Sequence, residues 1–367
     1  MSKDDTVVLY IMILFFSVFF AFLSQRKSIR GLKGVNVFFF LLSFLIPWFF
    51  FVFNDISNDY EEYCYIYDTV SLDYFRGLWI EPGYALINAV LKLLVKDCVV
   101  GIVFIKTFII TLIFYVIYDY RFKIDVSLSV LAYLTLLYLD SFCMIRIHLA
   151  AALLLLAIAL YDNHRMVLLP LMIFCFSCTV HYSLVTMVPV LASYVFWKKT
   201  NFKMSFLLML VFAIVLIMYV AMPLMTTVLK SVSFLNKYNE KYSMISSSGG
   251  GFMQYLYHLP IIVLMFKVWK LGIWKKNKAY RICVILIPFS LFFGLLGYSV
   301  QVIGRTYVYY AFIWIFGLPM VAKQIKDINN ARLFLFICIL FLLFRFYDYI
   351  NNSLHPSGIE HFHLLLQ

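Results

Sequence analysis

The chain has 367 residues, of which 64% are hydrophobic and 13% charged, with a mean hydropathy of +0.93. A soluble globular domain carries about 25% charge, so this composition excludes a water-soluble enzyme and indicates an integral membrane protein. At roughly 20 apolar residues per span the length allows on the order of a dozen membrane helices. The net charge of +12, from 30 Lys and Arg against 18 Asp and Glu, would suggest a nucleic-acid partner in a soluble protein; in a membrane protein it reports which loops face the cytoplasm, and no nucleic acid is expected.

The first apolar run, Thr6 to Ser24, is too long for a signal-peptide core and is preceded by Lys3, Asp4 and Asp5 rather than a basic region, so it reads as a true span. Arg26, Lys27, Arg30 and Lys33 follow it and place the next loop in the cytoplasm, which puts the N-terminus outside. Further spans are expected at Val35 to Phe53, Cys98 to Tyr118, Val126 to Met144, Ile147 to Tyr161, Met166 to Val180, Ser183 to Trp197, Met204 to Val228, Phe252 to Trp269, Ile282 to Ile303, Thr306 to Val321 and Leu333 to Phe344. The expected fold is all-α, a polytopic bundle of about twelve helices forming one membrane domain over 1–367. Pro82 to Val95 is apolar but short, and counting it as a span would move the cations from Lys267 to Arg281 outside. It therefore reads as a re-entrant or interfacial helix.

With alternation from an outside start, nineteen of the 30 Lys and Arg fall in inside loops, whose only acids are Asp119, Asp125, Asp162 and Asp327. Both termini are then outside. Two external loops are large, 54–81 and 229–251, and the second contains Ser246-Ser247-Ser248-Gly249-Gly250-Gly251, suited either to a mobile lid or to a slack connection. Six of the seven cysteines lie in mostly apolar stretches and only Cys64 is in a strongly polar one, so no disulfide framework is expected.

Ionisable groups within or beside the hydrocarbon layer are costly, and their positions point to function. The acidic loop carries Asp55, Asp59, Glu61, Glu62, Asp68 and Asp73, interleaved with Tyr60, Tyr63, Tyr65, Tyr67 and Tyr74, and ends in Glu81-Pro82-Gly83. Aromatic faces stack on sugar C–H surfaces while carboxylates accept hydroxyl hydrogens; an ordinary solvated loop is the alternative. Glu81 is the sharpest acid there, because Pro82 at a helix start fixes the turn beside it.

Arg146, in Ile145-Arg146-Ile147-His148, would lie at the outer interface, able to hold a phosphate or simply to reach headgroups. His148, two positions on, points to nearly the opposite side. His181, in His181-Tyr182-Ser183, is a candidate acceptor of a hydroxyl proton. Its spacing from Cys175 and Cys178 raises a metal site, but no fourth ligand is evident and none is expected. Gln301-Val302-Ile303-Gly304-Arg305-Thr306-Tyr307 offers a helix break at Gly304 and a second cation, Arg305. Two arginines at one depth suit a pyrophosphate. Lys106 lies mid-span and needs a partner, for which Asp140 is a candidate.

Taken in order, these residues resemble the EpsG-type group of Wzy-like polysaccharide polymerases over about residues 54–310: an acidic, Tyr-rich loop running into Glu81-Pro82-Gly83-Tyr84, Arg146 followed by Ala150, His181 with Ser183, and a late Arg305 followed by Tyr309. Similar sequences usually carry Gln after the first arginine, where this chain has Ile147. The resemblance implies a GT-C-like bundle that joins lipid-linked oligosaccharide repeat units at the outer face of the bacterial inner membrane, moving a glycan from undecaprenyl pyrophosphate to a sugar hydroxyl of the next unit. It implies no cofactor and, as partners, the lipid-linked oligosaccharide, membrane lipids, a chain-length regulator and a flippase. Arg146 and Arg305 would bind the pyrophosphate, His181, Glu81 or Asp68 would serve as base, and Tyr60, Tyr67 and Tyr84 would bind glycan. The rival readings are a flippase for the same lipid, an O-antigen ligase and a non-catalytic membrane subunit.

Overall fold

The computed structural model describes residues 1–26, 36–71, 80–192, 305–311, 313–325 and 328–365, with 281–283, 285–287, 289–290 and 293. The expected spans Met204 to Val228 and Phe252 to Trp269, the loop 229–251, the break at Gly304 and most of the expected cytoplasmic cations lie outside the described residues. The chain forms two compact units, one of residues 1–182 with 314–367 and one of residues 183–313.

The described residues are helical, and the one β-type pairing among them is an isolated antiparallel bridge between Asn54 and Leu364. In the first unit run α1 (Lys3–Gln25), α2 (Val37–Val52), α3 (Tyr60–Thr69), α4 (Pro82–Leu94), α5 (Cys98–Asp119), α6 (Val126–Tyr133), α7 (Ile145–Asn163), α8 (Leu168–Val180), α9 (Leu318–Gln324), α10 (Ile328–Asn352) and α11 (Leu354–Ser357). Four stretches among the described residues are long and apolar enough to cross a membrane, namely α1, α5, α7 and residues 329–352 of α10; α2, α4 and α8 are apolar but shorter.

Side-chain placement follows what lipid requires. On α1 the buried stripe includes Thr6, Ser17, Ala21 and Ser24, while Phe15, Phe19 and Phe22 are exposed. Small residues inside let helices approach, and bulky apolar ones face the hydrocarbon. Ser2 caps this helix by accepting from the Asp5 amide, and Asp4 and Asp5 complement the positive end of its dipole. The opposite extreme is α7, whose Ala- and Leu-rich sequence is buried on almost every side from Ile147 to Leu155. A central helix of this kind fixes whatever stands on its first turn, and Arg146 stands there.

Two expectations are revised. Loop 54–81 contains a helix, α3, because Tyr60, Tyr63, Ile66 and Tyr67 recur at helical spacing and form its buried face, with Glu61 and Glu62 in its first turn. The span expected from Val126 to Met144 changes gauge: α6 widens into a π-turn at Leu134–Tyr138 and tightens into a 3-10 turn at Asp140–Phe142. Thr135 Oγ1 donates back to the Leu131 carbonyl at 2.8 Å, a bond that competes with the helical ladder. The rings of Tyr133, Tyr138 and Phe142 pack edge to face around the irregular stretch.

The first unit has two polar ends. At one, Lys123 pairs with Asp162 at 3.0 Å, His164 with Asp119 at 3.3 Å, and Gln25 donates to Asp125 at 3.3 Å. At the other, the Met1 ammonium donates to the Phe362 carbonyl at 3.1 Å, Tyr10 to Ile359 at 2.9 Å, and His363 meets Asp55 at 3.0 Å. Met1 and the described residues 359–363 thus lie at one end of the first unit.

Candidate active site

Three helix ends meet at the same end as the termini. The helices α7 and α8 pack side by side as an antiparallel hairpin, so the first turn of α7 and the last of α8 are neighbours. The start of α4 docks on α8 through Gly83, where an added Cβ would fall 2.7 Å from the Thr179 carbonyl carbon and 2.7 Å from the Val180 amide nitrogen. Only a residue without a side chain fits that approach. Pro82 occupies the first helical turn, and Glu81 stands at the N-cap without using its side chain as a cap. The carboxylate is therefore available to the neighbouring helices.

Arg146 Nη1 lies 2.7 Å from Glu81 Oε2, and His181 Nδ1 lies 4.0 Å from Glu81 Oε1. One carboxylate thus stands between a guanidinium and an imidazole. The side chains are 21%, 13% and 25% exposed for Arg146, Glu81 and His181, which partly desolvates the charges yet leaves them reachable. His181 ends α8 in an extended conformation, with its amide bonded to the Ser177 carbonyl at 3.1 Å.

Tyr63 completes the cluster. Its ring centroid is 6.0 Å from the Arg146 guanidinium, and its hydroxyl donates to the Cys143 carbonyl at 3.1 Å. Burial pushes that hydroxyl up to about 12, with nearby Arg146 pulling the other way. Tyr63 is one of the interleaved tyrosines, and its helical phase with Tyr60 and Tyr67 on α3 is the signal in the sequence that marks it.

Of the residues expected to act, the structure brings Glu81, Arg146 and His181 together. Asp68 is exposed on α3 and joins no ion pair among the described residues; its backbone carbonyl receives the Lys92 ammonium. Tyr60, Tyr67 and Tyr84 are buried rather than presented for stacking. Tyr60 lies over the Lys106 ammonium at 5.3 Å, Tyr67 donates to the Val95 carbonyl at 2.6 Å, and Tyr84 packs edge-on against Tyr63 at 6.1 Å. His148 is buried in α7, away from the cluster that its neighbour Arg146 joins.

Lys106 is satisfied otherwise than expected. Its ammonium donates to the Asn54 carbonyl at 2.8 Å and Oδ1 at 3.3 Å, with the Phe51 ring centroid at 5.7 Å, so Asn54 rather than Asp140 serves it. In the second unit Arg305 opens a 3-10 helix, Arg305–Ala311, instead of a regular span. Tyr309, on the same short helix, shares a hydrogen bond of 2.8 Å with Ser183.

The sequence pattern described as EpsG family matches residues 37–357, most of the chain. No curated protein and no solved structure matches it.

Proposed function

The chain belongs to the EpsG family, and from that premise we propose that it polymerises repeat units carried on undecaprenyl pyrophosphate at the outer face of the bacterial inner membrane. Family membership and the apolar helices make it a membrane protein of the polysaccharide-polymerase kind. The single observation that carries the finer reading is the junction of Glu81, Arg146 and His181, contributed by three helix ends at one end of the bundle.

The reaction breaks the bond between the anomeric carbon and the pyrophosphate oxygen and forms one to an acceptor hydroxyl oxygen. Negative charge grows on the departing pyrophosphate, and a guanidinium presents planar paired donors to such oxygens. Arg146 is assigned that task, and the family resemblance offers Arg305 for the same role. Glu81 holds Arg146 in place before substrate arrives, and its other oxygen orients the imidazole of His181, which takes the acceptor proton. Asp68 has no part in this assignment.

The orientation is part of the proposal. The end holding Lys123, Asp162 and Gln25 is assigned to the cytoplasm, because the loop following α1 carries the first cation group. The full count of about twelve helices and the re-entrant placement of α4 belong to the same reading. Its length of 13 residues is too short to span and suits a helix that delivers Glu81 from the outer side.

The test is replacement of Arg146, Arg305, Glu81 and His181 by Ala in a deletion strain, with membrane abundance followed by immunoblot. Single repeat units should accumulate on the outer face while the protein remains present. Accumulation on the inner face would indicate a flippase, and polymer held on its carrier but not passed to lipid A would indicate a ligase.

A further inference from the structure

We infer that Cys64 and Cys98 are joined by a disulfide bond in the cell, tying the middle of α3 to the first residue of α5. The two Sγ atoms lie 2.6 Å apart, closer than unbonded sulfur atoms rest. The approach is imposed by packing on both sides of the pair. Four residues before Cys64, the Tyr60 ring covers the Lys106 ammonium of α5. Three residues after it, the Tyr67 ring lies against Gly101 of α5, where an added Cβ would fall 2.8 Å from the Tyr67 hydroxyl oxygen. That hydroxyl is in turn fixed to the Val95 carbonyl. The register of α3 on α5 therefore brings the sulfurs together.

Both thiols are half-exposed, and so accessible to an oxidant, whereas Cys283 and Cys338 are buried. They lie at the end of the first unit that also holds the termini and Glu81, the end assigned to the oxidising side of the membrane, where disulfides form and persist. The required co-reactant is a thiol–disulfide oxidase of that compartment. One thiolate attacks the oxidase disulfide, giving a mixed disulfide and one free oxidase thiol. The second attacks the mixed disulfide, and the oxidase leaves as its dithiol carrying both electrons and both protons. The bond links positions 34 apart in the chain, with Glu81 between them, and Cys64 is adjacent in sequence to Tyr63. It holds the two helices flanking the segment that delivers the carboxylate.

The test uses the full-length protein in native membranes. Cells are quenched in acid, the protein is denatured, free thiols are blocked with N-ethylmaleimide, and disulfides are reduced and labelled with a maleimide-bearing polyethylene glycol. Wild type should gain two labels after reduction, and Cys64→Ser and Cys98→Ser should gain none. No label on the reduced wild type, or two labels persisting in Cys64→Ser, would overturn the inference. The count is read on the protein itself, so a bonded chain without polymerising activity would refute the proposed function and leave this bond standing.

Discussion

Glu81 bonds Arg146 at 2.7 Å and has its other oxygen 4.0 Å from His181 Nδ1, so its replacement should affect both neighbours. Glu81→Gln keeps the shape and removes the charge; the expected loss in polymerisation rate is about 100-fold, in the range found when one charge-stabilising group is taken from an active site. Arg146→Lys should be nearly as inactive as Arg146→Ala, because an ammonium lacks the planar fork of donors. Initial rates on a lipid-linked repeat unit check both. Tyr63 makes a different prediction. Burial raises its hydroxyl to about 12, so the neutral phenol persists at every pH below that and loses no proton in the working range. Tyr63→Phe should therefore leave the pH profile of activity between about pH 5 and 9 unchanged, whereas a shifted limb would make Tyr63 a participant in proton transfer. Arg146, His181 and Glu81 were legible as residues because charge at a membrane interface is conspicuous. The bond between Arg146 and Glu81 was not, since 65 positions separate them.

At the scale of the helix, the site depends on how closely α4 approaches α8. Gly83→Ala would set a methyl group against the backbone of Thr179 and Val180, atoms that cannot turn aside as a side-chain tip can. We expect α4 to shift and polymerisation to fall about tenfold or more with Glu81, Arg146 and His181 intact, since a displacement of ~1 Å can cost on the order of 100-fold. Wild-type activity in Gly83→Ala would show that the docking is slack. Lys106→Met tests the contact of α5 with Asn54: it takes the ammonium donor from the buried Asn54 carbonyl and Oδ1 and leaves both acceptors unmet, so thermal unfolding in detergent should occur at a lower temperature. The helices α1, α5 and α7 were legible because long apolar runs leave few alternatives. The helix α3 was hidden, because interleaved acids and tyrosines satisfy both a sugar-binding loop and an amphipathic helix. The irregular end of α6 was equally hidden, since back-bonding by Thr135 and the packing of three rings depend on neighbours distant in the chain.

For the whole molecule, Met1 and Phe362 lie at the end bearing Glu81, Arg146 and His181, and the proposed assignment of that end to the outer side makes a topological prediction. Alkaline phosphatase fused after Gln367 should be active and a fluorescent protein fused there dark, while the same reporters after His164 should behave oppositely. The measurement that reaches the central claim most directly is polymerisation by the purified full chain in lipid vesicles, given only a pyrophosphate-linked repeat unit and read as a ladder of chain lengths. Wild type should give a ladder, and Arg146→Ala and Glu81→Ala should leave unpolymerised single units at equal protein content. A ladder of normal length from either variant would contradict it.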